Sequence, residues 1–123
     1  MKSEKMKLGK DLIFHSMSIQ SRHKGAIKRL DESKDNEFIR GECQWVMKGI
    51  VRVGLELVLE RSGKYSRDLY PCYEVFSEYY PEKEAEMKEA LYLALNPTGD
   101  KEVIKKVIGG LGKWLEEEVK SYI

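Results

Sequence analysis

Apolar residues recur at three- and four-residue steps along most of this chain, and no stretch alternates as a half-buried strand would. From about residue 7 to residue 30, Leu8, Leu12, His15, Ile19, Ala26 and Leu30 fall on one helical face. The polar run from Asp31 to Asn36 ends this helix. Asp35 or Asn36 can cap the next by accepting from its free backbone N–H groups. A second helix is predicted from about Glu37 to Arg61. In its latter half Ile50, Val51, Val53, Leu55, Leu57, Val58 and Leu59 go most of the way around the axis, so it must be central. Gly49 and Gly54 weaken that helix by about 1 kcal/mol each relative to alanine, which close approach of another backbone would offset. Gly63 supplies the positive φ that commonly ends a helix.

Residues 66–80 read as a short helix, with Pro71 tolerated only in its first turn. Pro81 opens a fourth helix with Met87, Ala90, Leu91 and Ala94 inward and Glu84 with Lys88 as a solvent pair. Asn96-Pro97 stops it. The last helix begins near Asp100 and carries Ile104, Ile108, Leu111, Leu115 and Val119 on one stripe. Gly109, Gly110 and Gly112 imply a bend or a tight contact in its middle. The pattern predicts an all-α protein, an antiparallel bundle of about five helices with an up-and-down four-helix core plus a short helix. Its 123 residues suit one domain, 1–123.

Composition narrows the partners. With 22 basic and 21 acidic side chains the net charge gives nucleic-acid binding no support. The charges are nonetheless polarised: eight basic residues against two acidic through residue 30, and eleven acidic against seven lysines from residue 71 onward. A basic first helix suggests an RNA or anion binder, but aromatic interleaving is poor there, with only Phe14. Cys43 and Cys72 have no metal spacing and read as reduced thiols. The richest apolar run, Ile50 to Leu59, is broken by Arg52 and Glu56, so no membrane span and no signal segment are expected, and the chain reads as cytoplasmic. Lysine and glutamate dominate the charged set, a usage that fits a thermophile.

The candidate chemistry is sparse. His15 lies on the apolar stripe and reads as a buried, hydrogen-bonded core histidine. His23 follows about 12 Å further along the helix, too far to share an ion with it, and no metal or cofactor is expected. The carboxylates of Glu82 to Glu89 and Glu116 to Glu118 read as solvated faces. Cys72 reads as an inert buried thiol. The loop after Gly63 is richer. Lys64, Tyr65, Arg67 and Asp68 crowd donors and one acceptor between two core helices, where they can read a phosphate or another chain. The alternative is that Arg67 and Asp68 tie the loop to a neighbouring helix.

The order of an amphipathic first helix, an apolar second helix ending Leu57-Val-Leu-Glu-Arg-Ser-Gly63, the loop Lys64-Tyr-Ser-Arg-Asp-Leu69 and a short helix with Cys72-Tyr-Glu-Val-Phe76 resembles the HEPN domain. It is particularly similar to prokaryotic members found beside or fused to minimal nucleotidyltransferases, over about residues 8 to 122. The resemblance implies an antiparallel helical bundle that forms a homodimer, with a small nucleotidyltransferase as partner and a nucleotide as candidate ligand. The ribonuclease branch of that family uses an arginine followed by a histidine four to six residues later. Here both histidines precede residue 24, and the segment after Arg67 and Asp68 places Cys72, Tyr73 and Glu74 where a histidine would be needed. None of these matches a histidine as a proton carrier at neutral pH. The expected function is therefore a non-catalytic, dimeric binding domain. A divergent ribonuclease using Arg67 with Cys72, Tyr73 or Tyr70, and an RNA or anion binder acting through the basic first helix, are the alternatives.

Overall fold

A computed structural model of the chain describes residues 19–121. The expectations placed on Leu8, Leu12, Phe14 and His15 lie outside the described residues. Helix α1 covers residues 19–32 of the described chain. It is followed by α2 (Asn36–Ser62), α3 (Leu69–Tyr79), a 3₁₀ turn (Pro81–Lys83), α4 (Glu84–Leu95), α5 (Lys101–Val107), a π-helical turn (Ile108–Gly112) and α6 (Lys113–Ser121). The described residues contain no strand, and the fold is an all-α bundle.

Local chemistry sets the helix ends. Asp35 accepts from the Glu37 N–H at 3.0 Å and caps α2. At the other end Gly63 adopts φ +66° and donates its N–H to Leu59 O at 2.9 Å. A side chain is strained at that φ, so the glycine is required there. Asp100 caps α5 by accepting from Glu102 N and Val103 N. Pro71 falls in the first turn of α3, where it removes no helical bond. That helix starts at Leu69, three residues later than the pattern suggested, because Ser66 Oγ accepts from Asp68 N and holds the preceding segment in a turn. Pro81 opens a 3₁₀ turn rather than the α-helix itself, which begins at Glu84.

Contacts between helices give the topology. Arg29 of α1 reaches Glu42 with both Nε (2.5 Å) and a terminal nitrogen (3.3 Å), while Arg22 lies beside Trp45, so α1 and α2 run antiparallel. Cys43 Sγ donates to Leu93 O, and Gly54 faces Met87, which sets α4 antiparallel to α2. Lys105 pairs with Asp31 and Glu116 with His23, which brings α5 and α6 back along α1. These four rods form the up-and-down core. The short α3 packs on this core and runs in the direction of α2: Phe76 packs on Gly54, and Tyr80, just past its end, accepts a bond from Arg61.

The apolar face expected of α2 is buried on several sides: Ile50, Val51, Val53, Leu55, Leu57 and Val58 are at most 5 % exposed. Among the described residues Phe76 is the largest fully buried side chain, and it meets Trp114 edge-on at 6.0 Å between ring centroids. Gly54 serves this packing in a different way from the one expected. An added Cβ would come within 2.7 Å of Met87 Cε and 3.2 Å of Phe76 Cδ1, so side chains, not a second backbone, occupy the space. Among the described residues, an added Cβ at Gly49 would have only Arg22 near it, at 3.9 Å.

Candidate functional site

The loop between α2 and α3 folds back along α2. With Arg52, Leu55 and Glu56 of that helix, Tyr65, Ser66 and Arg67 line a cavity of about 310 Å³. The loop is held by serine side chains and one thiol: Ser62 Oγ accepts from Lys64 N, Ser66 Oγ from Asp68 N, and Cys72 Sγ donates to Ser66 O at 3.4 Å. The side chains of Lys64, Tyr65 and Arg67 are thus left to solvent. Tyr65 is 69 % exposed, and Arg67 makes no ion pair among the described residues.

Of the four residues singled out in this loop, the structure brings Tyr65 and Arg67 into the cavity lining and leaves out two. Lys64 turns toward Glu78 of α3 at 3.8 Å, an exposed pair worth well under about 1 kcal/mol. Asp68 occupies the position before α3 without accepting a side-chain cap bond. The alternative account, in which Arg67 and Asp68 tie the loop to a neighbouring helix, is not what holds it: among the described residues neither forms an ion pair, and the serines do the holding. Arg52, by contrast, is a lining residue that the apolar run around it concealed. Its position was legible only as a break in that run.

Two groups considered for proton transfer are engaged elsewhere. Burial pushes the Cys72 thiol above its ordinary pKa, against the opposing effect of nearby Arg52. Tyr73 donates to Glu84 Oε2 at 2.5 Å, and this bond, with burial adding to it, pushes the phenol up to about 12. Glu84 also keeps its predicted pairing with Lys88, at 3.7 Å.

A second constellation joins α1 to α6. His23 is 4 % exposed and its Nδ1 is 3.1 Å from Glu116 Oε1. The carboxylate accepts, which assigns the hydrogen to Nδ1. Burial lowers the His23 pKa, Glu116 works against that, and the neighbouring Arg22 adds a smaller lowering. The Glu116 to Glu118 run is therefore not a wholly solvated face, since Glu118 also accepts from Tyr80 OH at 3.3 Å. Gly112, in the π-helical turn, makes room for the imidazole: a Cβ there would lie 3.0 Å from His23 Cε1. The tight contact expected of the Gly109 to Gly112 stretch is this one. His23 was discoverable from spacing, because it stands four residues after Ile19 and three before Ala26 on the buried stripe.

Among the described residues no group of three His, Cys, Asp or Glu side chains is placed to hold a metal ion, and no helix is long and apolar enough to cross a membrane. Comparison of the chain with protein-family models, with curated proteins and with solved structures gives no match in any of the three.

Proposed function

We propose that this chain is a non-catalytic, HEPN-like helical domain that forms a homodimer, docks a small nucleotidyltransferase and contacts nucleotide through the loop after α2. The observation that carries the reading is the cavity in which two arginines from different elements, Arg52 and Arg67, meet the exposed ring of Tyr65. Guanidinium groups suit phosphate because they present several N–H donors in a fixed plane, and an exposed phenol ring offers a base a face to stack on. Lys64 adds positive charge at the rim.

The proton-transfer candidates favour binding over cleavage. Cys72 is buried with its thiol donating to a carbonyl, and Tyr73 is held protonated by Glu84. Dimerisation draws no support from the apolar faces of α2, which the bundle itself covers. Its support comes from α4, where Tyr92 and Leu95, one turn apart, are 62 % and 61 % exposed.

Titration of the purified protein with ATP, alone and with a co-expressed small nucleotidyltransferase, tests the reading. Binding that weakens at least about tenfold on charge reversal at Arg67 and Lys64 is expected, each lost charge-assisted contact being worth roughly 1.5–3 kcal/mol. Unchanged binding removes the loop from the function. Sedimentation that shows only monomer at micromolar concentration removes the dimer. Chelator-resistant loss of labelled RNA, abolished by Arg67→Ala, would replace the reading with a ribonuclease.

A further inference from the structure

The basic first helix lacks aromatic residues in its own described sequence, but α2 supplies one. Trp45 is 48 % exposed and lies with its ring centroid 5.8 Å from the Arg22 guanidinium and 5.6 Å from that of Arg29. Beside it a second cavity of about 260 Å³ is lined by Arg22, Trp45, Lys48, Arg52 and Glu56, among others. Arg52 and Glu56 line both this cavity and the one under the loop. The two are thus neighbours along one face of α2, on which residues 45, 48, 52 and 56 succeed each other at helical steps.

We infer that this face of α2 is a groove for single-stranded nucleic acid, with bases on Trp45 and Tyr65 and phosphates on Arg22, Lys48, Arg52 and Arg67. The inference rests on the loop reading above and extends it from a mononucleotide to a strand. Length is one argument. Trp45 to Glu56 spans about 16 Å along the helix, and at 3.4 Å per stacked nucleotide that is about four to five nucleotides. Charge is the second. Arg29 is committed to Glu42, but among the described residues Arg22, Lys48, Arg52 and Arg67 form no ion pair. The third is that each of the two cavities sets one exposed ring, Trp45 or Tyr65, among cations, an arrangement that holds a strand without reading its sequence. Among the described lining residues Glu56 is the acid, and it separates the phosphate positions on either side of it.

The test is fluorescence anisotropy with labelled single-stranded oligonucleotides about ten nucleotides long, against ATP as competitor. The wild type is expected to bind the oligonucleotide more tightly than ATP. The logarithm of affinity should fall with that of salt at a slope of about −3, from four contacts at −0.7 each. Trp45→Ala and Lys48→Glu should each lower affinity about tenfold, with Trp45→Phe restoring most of the first loss. Because the chain has two tryptophans, Trp114→Phe leaves Trp45 as sole reporter, and its emission should be quenched by oligonucleotide. Absence of oligonucleotide binding, or binding indifferent to Trp45→Ala and Lys48→Glu, overturns the groove. If ATP binding in either case still responds to Arg67→Glu, the loop reading stands and only its extension falls. If ATP binding is absent too, both fall.

Discussion

His23 Nδ1 of α1 lies 3.1 Å from Glu116 Oε1 of α6, and this one bond joins the basic start of the chain to its acidic end inside the bundle. The imidazole sits in the gap that Gly112 leaves open.

That burial sets a pH dependence. The folded-state pKa of His23 is held below its ordinary 6.5, first by desolvation, with Glu116 opposing. The unfolded chain therefore takes up its proton at a higher pH than the folded one. Stability present above about pH 6.5 is lost as the pH falls toward the folded-state pKa, with a slope of up to about 1.4 kcal/mol per pH unit. Thermal melts between about pH 7.5 and about pH 5.5 should show Tm falling, and His23→Gln should flatten the profile. Parallel profiles for the two proteins would show that His23 does not carry the effect.

Two glycines of one turn should respond with opposite signs. Gly112→Ala drives a Cβ to 3.0 Å from His23 Cε1 and is expected to cost about 1–3 kcal/mol. At Gly109 nothing lies within 4 Å of an added Cβ, so Gly109→Ala should stabilise by up to about 1 kcal/mol through backbone entropy. Urea unfolding of both variants decides the matter.

Gly54→Ala should cost a similar amount to Gly112→Ala, about 1–3 kcal/mol, since the new methyl meets Met87 Cε at 2.7 Å and the Phe76 ring at 3.2 Å. Part of the strain falls on a flexible methionine. Shortening that side chain in the double variant with Met87→Ala should therefore cost less than the sum of the single losses. Additive losses would mean that Phe76 alone resists the substitution.

The aspartates that precede α5 and α3 differ in what they bond. Asp100→Ala removes two bonds to free N–H groups of α5 and should lower stability by about 1 kcal/mol. Asp68 occupies the equivalent position before α3 yet makes no such bond, so Asp68→Ala should change the denaturation midpoint little. A loss at Asp68 as large as that at Asp100 would give it a structural role and weaken its candidacy at the loop.

Much of the architecture was legible because helices announce themselves locally. The α2 cap at Asp35, the stop at Gly63, Pro71 in a first turn and the stripe Ile104, Ile108, Leu111, Leu115, Val119 each depend on residues within a turn or two of one another. The start of α3 was less legible, because Ser66 competes for the backbone just before it. The candidate site was half legible. A loop dense in Tyr65 and Arg67 stands out in one dimension, whereas Arg52 looks like an interruption of an apolar run until the loop folds back over it.

By itself the sequence determined the all-α class, the helix ends and which stripes turn inward, since spacing and capping act over a few residues. Only the tertiary structure decided which side chains meet across the bundle. His23 finds Glu116 ninety-three residues away. Trp45 is set beside Arg22, and Arg52 lines one cavity with Arg67. Helices carry no local signal for their neighbours, and those pairings follow from how four rods pack around Phe76, Met87 and the bare face of Gly54.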